Sequence, residues 1–342
     1  MTLETSPLPW HKEEWAHTLD QISSGKAPHA YMISAQAASG KRLFANRLAQ
    51  RLLCHTPEPL SACGHCPACQ LSAAGNNPDL IVIKPELKSK VIKIDQIREL
   101  KHFLETSSHS FGKRVIILDT AETLNISSAN ALLKGLEEPP SDVMFLVLSD
   151  RPKAVLATIS SRCRSLKLQT PSQAQALEWL TTQVPDALSE DIEFALDYAQ
   201  GRVLTALSML EDETRTLHEA IGDDLLHVIK HQALATKVAT RYQKTNCSEV
   251  LNILSYWISA LSKFHITGEA RFVKGRALQD AAQLMEVSSS NKGPFTRGLM
   301  SLYRQVCDAQ TQVAGVSNPN LQLLLEDLLL QLQQLFRKTK GI

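Results

Sequence analysis

The residues best suited to chemistry in this chain are four thiols. Cys54, Cys63, Cys66 and Cys69 follow the spacing Cys-x8-Cys-x2-Cys-x2-Cys. Thiolates this dense in a reducing compartment match a tetrahedral zinc shell. Gly64 and Pro67 occupy the two short spacers, where such residues help the backbone turn so that neighbouring sulfurs face one ion. Four sulfurs leave no open position for a catalytic water, so the expected role is structural. The competing readings are a chance cluster of reduced thiols, or a shell in which His55 or His65 replaces one cysteine. Cys163, Cys247 and Cys307 are far apart in sequence and suit packing positions.

A second constellation looks like phosphate chemistry with parts removed. Residues 35–42 read Ala-Gln-Ala-Ala-Ser-Gly-Lys-Arg, between an apolar run at 30–34 and a helical run at 43–49. That is the setting of a P-loop, G-x-x-x-x-G-K-[ST]. Gly40 and Lys41 fit; Ala35 replaces the first glycine, and Arg42 stands where a hydroxyl would hold magnesium. Val115–Asp119 is a strand-like run ending in an acid, but Thr120 follows in place of a water-activating glutamate. The retained Lys41 leaves nucleotide binding open, against a vestigial loop whose lysine points to solvent. Asp119 is either a magnesium ligand or a cap on the turn at 121–126.

Short apolar strands alternating with helices must position these residues. Strands are expected at 30–34, 80–84, 115–119, 143–148 and 165–168, with helices at 43–53, 95–105 and 128–136. The last of these helices is stopped by Pro139-Pro140, and small residues at 127–130 begin it. This alternation predicts an α/β domain with a parallel sheet covered on both faces, and the cysteine module as a peripheral insertion. After Pro171 the strand pattern ends. Helices are expected at 172–184, 189–200 and 203–210, with Gly201 as a break, and throughout the remainder. Leu321, Leu324, Leu325, Leu328, Leu332 and Leu335 form an apolar helical stripe, and residues 288–294 read as a loop.

Composition narrows the class. The chain has 342 residues, 44% hydrophobic and 21% charged, enough for two or three globular domains. Its 36 basic and 35 acidic residues give no whole-chain argument for nucleic-acid binding. Lys101 and Lys134 are lone cations, best read as solvated charges. With no apolar run near 20 residues and no signal-peptide core, the expected location is the cytoplasm.

Three further motifs carry a resemblance. Asn130-Ala-Leu-Leu-Lys-Gly-Leu-Glu-Glu-Pro-Pro140, Ser161-Arg162-Cys163 and Gly75-x-x-x-Asp79, together with the cysteine spacing, resemble the AAA+ bacterial replicative clamp loaders of DNA polymerase III. The resemblance is close over the first ~170 residues, by motif order and spacing. It implies a RecA-like AAA+ domain at 1–169 with the zinc module inserted at 54–69. A small helical lid at 170–210 and an all-α collar at 211–342 would follow. It implies a cytoplasmic hetero-pentamer with motor subunits (tau or gamma), the delta subunit, the sliding clamp and primed DNA.

Within such a loader, the departures at Ala35, Arg42 and Thr120 resemble a stator-like subunit without intrinsic ATPase activity. Arg162 then corresponds to an arginine finger acting in trans on a neighbour's ATP, since its planar fork holds two phosphate oxygens and stays charged. Read on spacing alone, Arg162 is an ion-pair residue, and Arg164 lies close enough to compete for the role. The alternatives are an active motor subunit with an unusual P-loop and a zinc protein that reads DNA. The absence of Lys or Arg between His55 and Ala74 counts against the last.

Overall fold

The computed structural model describes residues 7–86, 89, 91–105, 108, 112–244, 246–285, 292–314 and 319–337. The chain divides into two compact units. One comprises residues 1–182 and 201–205, the other residues 183–200 and 206–342.

The first unit contains α1 (Lys12–Ser23), β1 (Ala30–Ser34), α2 (Lys41–Leu53), α3 (Pro67–Ala73), β2 (Leu80–Ile83) and α4 (Ile94–Glu105). It continues through β3 (Arg114–Asp119), α5 (Ile126–Glu137), β4 (Val143–Ser149), α6 (Ala157–Ser160), β5 (Arg164–Lys167) and α7 (Gln173–Gln183). The strands form one parallel sheet in the order β2-β3-β4-β1-β5. Every residue of β1, β3 and β4 is buried, as expected for central strands covered on both faces, whereas the edge strands β2 and β5 are partly exposed.

Alternation along the strands splits the core in two. Met32, Ile116, Leu118, Phe145 and Val147 face Ile97 and Leu100 of α4 and Leu132 of α5. Tyr31, Ile33, Ile117 and Leu146 face Phe44 and Leu48 of α2 and Trp15 of α1. The α/β architecture expected from the sequence is the one observed. Several boundaries differ. Helix α5 begins two residues earlier than expected, because Asn125 is its cap and its Oδ1 accepts from the Ser128 amide at 2.8 Å. Ser128 instead donates its hydroxyl to the Ile92 carbonyl at 2.8 Å. Helices α1 and α3 were not expected. Proline at the first position of α3 suits a helix start.

The second unit is helical. It contains α8 (Ser189–Tyr198), α10 (Asp212–Ile229), α11 (Ala235–Tyr242), α12 (Cys247–Thr267), α13 (Arg276–Gln283), α14 (Lys292–Ala314) and α15 (Leu321–Arg337), and α9 (Val203–Met209) runs into it from the first unit. Helix α12 is the core helix, with Leu251, Leu254, Ile258 and Leu261 wholly buried. In α15 the buried stripe is Leu325, Leu328, Leu329, Leu332 and Phe336, while Leu321, Leu324 and Leu335 are half-buried. The stripe is therefore rotated from the expected one. Residues 288–291 of the expected loop lie outside the described residues, and Lys292, Gly293 and Pro294 open α14.

Candidate functional site

The four cysteines converge. Their Sγ atoms all lie within 4.8 Å of one another, with Cys54–Cys66 and Cys63–Cys69 at 3.9 Å. A tetrahedron with metal–sulfur bonds of about 2.3 Å has edges of about 3.8 Å. The cluster can hold one metal ion. The Cys63 and Cys66 amides point at Cys54 Sγ and Cys63 Sγ, at 3.3 and 3.4 Å. A hydrogen bond from Thr56 pulls the Cys63 thiol down to about 5, whereas burial pushes Cys54 and Cys69 up. The module has its own small core of these cysteines with Ala62 and Ala68. Two side chains tie it to the sheet domain. Trp15 Nε1 donates to the Leu60 carbonyl at 2.8 Å, and Asn77 Nδ2 donates to the Ala68 carbonyl at 3.2 Å and Ser72 Oγ at 2.9 Å.

The P-loop-like turn lies at the carboxyl ends of the strands, where open α/β sheets bind ligands. Ser34 of β1 is level with Ser149 of β4, and Asp119 of β3 with Leu148. Gly40 caps α2 at φ 108°, and Ala38 is also left-handed at φ 56°. Lys41 does not point to solvent, contrary to one expectation. It is 4% exposed and paired with Asp150, the residue just after β4. Arg42 pairs with Asp119 at 2.5 Å, so Asp119 does not cap the following turn. The nearest other acid, Glu122, accepts from the amides of Asp150 and Arg151 at 2.7 and 3.0 Å. Each of these five side chains thus has at least one partner within the chain, while Asp119 Oδ1 and Glu122 Oε2 are buried without one among the described residues.

The crevice is also covered from within the unit. A Cβ on Gly40 would lie 2.2 Å from Leu8 Cδ1 and 3.3 Å from His11 Cε1, so these side chains rest directly on the glycine. Trp10 Nε1 donates to the Ser39 carbonyl at 3.0 Å, and the Leu204 amide donates to the Ala38 carbonyl at 3.1 Å. His11 is wholly buried, and that burial lowers its imidazole to about 4. Sequence reasoning missed Leu8, Trp10, His11, Glu122 and Asp150. A Trp-His pair in a polar stretch was the one signal available.

Arg162 sits elsewhere. It follows α6 and precedes β5, whose Arg164 is level with Tyr31 near the start of β1. The parallel register therefore places it at the opposite end of the strands from the turn that leads to Lys41. Its side chain is 34% exposed, and its guanidinium pairs with Glu137 at 2.5 Å and donates to the Thr158 carbonyl at 2.8 Å and Ser161 Oγ at 3.3 Å. Lys101 pairs loosely with Glu105 at 3.8 Å, and Lys134 is exposed on α5.

Two family models match, "DNA polymerase III, delta subunit" over residues 10–172 and "DNA polymerase III, delta subunit, C terminal" over residues 219–334. The DNA polymerase III subunit delta' of Pseudomonas aeruginosa is 32% identical over 325 residues, covering 94% of this chain and 96% of that one. The chain belongs to the DNA polymerase III subunit delta' family. The delta' subunit of Escherichia coli is 27% identical over 326 residues, covering 95% of both chains. DNA polymerase III subunit tau of Escherichia coli is 31% identical over 198 residues, covering 56% of this chain and 30% of tau. At the carboxyl ends of its sheet, Lys41 and Arg42 of the P-loop-like turn are paired with the chain's own carboxylates.

Proposed function

We propose that this chain is the non-hydrolysing, stator-like subunit of the DNA polymerase III clamp loader. Its role is to help load the sliding clamp on primed DNA and to support hydrolysis on a neighbouring motor subunit. The observation that carries the first half is the pairing of Lys41 with Asp150 and of Arg42 with Asp119, with Leu8 resting on the adjoining Gly40. A lysine held by a carboxylate is not free to reach β- and γ-phosphates, and Arg42 supplies no magnesium ligand. Thr120 has no carboxylate where a motor subunit carries its water-activating glutamate, and Glu122 Oε1 is turned to the amides of Asp150 and Arg151.

The second half rests on Arg162. The residue lies at the amino ends of the strands, whereas the chain's own P-loop lies at their carboxyl ends, and it is partly exposed, so its reading is as a partner for phosphate on another subunit. An arginine supplied in trans stabilises charge spreading over the transferred phosphoryl oxygens. The four-cysteine module is assigned a single structural zinc, held by Cys54, Cys63, Cys66 and Cys69. The helices after Glu211 serve as the collar that joins the motor and delta subunits, and residues 170–210 as the lid. The location is the cytoplasm; among the described residues no helix is long and apolar enough to cross a membrane.

The test is reconstitution with motor and delta subunits, clamp and primed DNA. A loader carrying Lys41→Met in this chain keeps the turnover of the unsubstituted loader. A loss of turnover in that complex would mean that this P-loop works, and would replace the stator reading with a motor one.

A further inference from the structure

The helical unit contains a cavity that the nucleotide chemistry does not use. It measures about 690 Å³ and lies between α8, α10, α12 and α13. That volume is in the range of small-molecule sites. One wall is aromatic. Phe194 and Tyr198 of α8 meet Tyr256 of α12 with ring centroids 5.7 and 5.3 Å apart, and Trp257 lies beside them. Burial pushes the Tyr256 phenol up, so this wall carries no phenolate. The mouth is acidic. Among the described residues Glu190, Asp191, Glu193, Glu219 and Asp223 line it, against the two cations Lys274 and Arg276. Lys274 is already held between Glu193 at 3.3 Å and Asp197 at 3.0 Å.

Two further observations point to a ligand. The His218 side chain lines the cavity, is 8% exposed, and stacks at 4.9 Å on Tyr198. Its Nε2 bonds Glu249 at 3.1 Å, and this contact keeps the Glu249 carboxyl below its ordinary range. The ring's buried Nδ1 has no hydrogen-bond partner among the described residues. The second observation is Gly222, inside α10. A Cβ there would make ordinary contacts at 3.6 Å with Ala277 and Trp257. Glycine within a helix costs about 0.5–1 kcal/mol relative to alanine. Packing does not demand it at this position, and its presence keeps the cavity wall open.

We infer that this cavity binds a small organic cation bearing a guanidinium or amine group. Aromatic faces attract such groups. The carboxylates supply the countercharge. Anionic ligands, nucleotides included, are disfavoured by the acidic mouth.

The experiment is equilibrium binding to the full chain by calorimetry, with agmatine and spermidine as probes and n-butylurea as the uncharged control. At least one of the two cations is expected to bind saturably, with one site per chain, while butylurea does not. Asp223→Asn, an exposed change, is expected to weaken binding about threefold to tenfold. Gly222→Leu fills the cavity and is expected to abolish binding. Should Gly222→Leu not fold, the Asp223→Asn comparison still decides. An arginine dipeptide binding as tightly as agmatine would make the guanidinium source a protein side chain; tighter agmatine binding would make it a free small molecule. No saturable binding of either cation up to about 10 mM overturns the assignment. So does butylurea binding as well as agmatine, or affinities unchanged in both variants.

Discussion

Replacing Arg162 by alanine separates a local contact from a role in another subunit's chemistry. Within this chain the guanidinium pairs with Glu137, and the two side chains are 34% and 47% exposed. An ion pair this open to water contributes about 0–1 kcal/mol to stability. The hydrogen bond to the Thr158 carbonyl is partly replaced by water, so the total loss stays near 1 kcal/mol. For a unit of this size that lowers the melting temperature by about 2–4 °C. An arginine finger contributes about 10³–10⁵ to the rate at the site it serves, or about 4–7 kcal/mol. The two effects differ enough to be told apart in one preparation. The assay is single-turnover ATP hydrolysis by the reconstituted loader, with clamp and primed DNA, after assembly has been confirmed by gel filtration. One hydrolysis phase should be lost in the Arg162→Ala complex while the others remain. Arg162→Lys should not restore it, because lysine keeps the charge and loses the planar fork. Glu137→Ala, which releases the guanidinium, should leave the phase intact. A full set of phases in Arg162→Ala would refute the finger and return Arg162 to a helix-end ion pair.

Further outcomes follow from the same geometry. Metal analysis of reduced protein should find one zinc per chain, and Cys63→Ser should lose it. Because the module has its own core, proteolytic nicking should then appear between residues 54 and 75 while the sheet domain persists. Asp150→Ala leaves Lys41 buried without its carboxylate, and should cost about 1–3 kcal/mol by denaturant unfolding, reduced from a fully buried pair because Asp150 is 33% exposed. His11 is neutral in the folded state, with its pKa lowered to about 4 from 6.5 by burial. Between pH 6.5 and 4 the unfolded chain therefore binds the extra proton. The associated stability is present above pH 6.5 and falls by roughly 3 kcal/mol as pH drops to 4. His11→Phe should show a correspondingly flatter pH dependence of its urea midpoint. Leu329→Ala, at a wholly buried position of α15, should destabilise the helical unit by about 2–5 kcal/mol and weaken assembly with the other subunits.

Much of this was legible in the sequence, for local reasons. Buried parallel strands announce themselves as apolar runs, so β1, β3 and β4 fell within a residue or so of their expected bounds. The cysteines converge because short spacers leave them little freedom, and the glycine-lysine turn follows directly from β1. What the sequence hid depends on long-range register. Asp150 meets Lys41 across 109 residues only because β4 lies beside β1. Leu8 and His11 reach Gly40 from a polar segment in which the Trp10-His11 pair is the one sign of burial. The α15 stripe was placed off-centre because leucines are plentiful on that helix, and packing against α11 and α14 rather than leucine content selects the buried face. Helix α8 belongs to the same compact unit as α10–α15, and this grouping is set by tertiary contacts that no boundary residue marks.

The most direct test of the central claim is equilibrium binding of ATP with magnesium to the purified chain, read alongside phosphate release. With Lys41 and Arg42 both engaged by carboxylates and Leu8 resting on Gly40, the prediction is no saturable binding at millimolar nucleotide and no turnover. Micromolar, magnesium-dependent binding with sustained hydrolysis would contradict it, since the crevice would then have to open and the chain would be a motor in its own right.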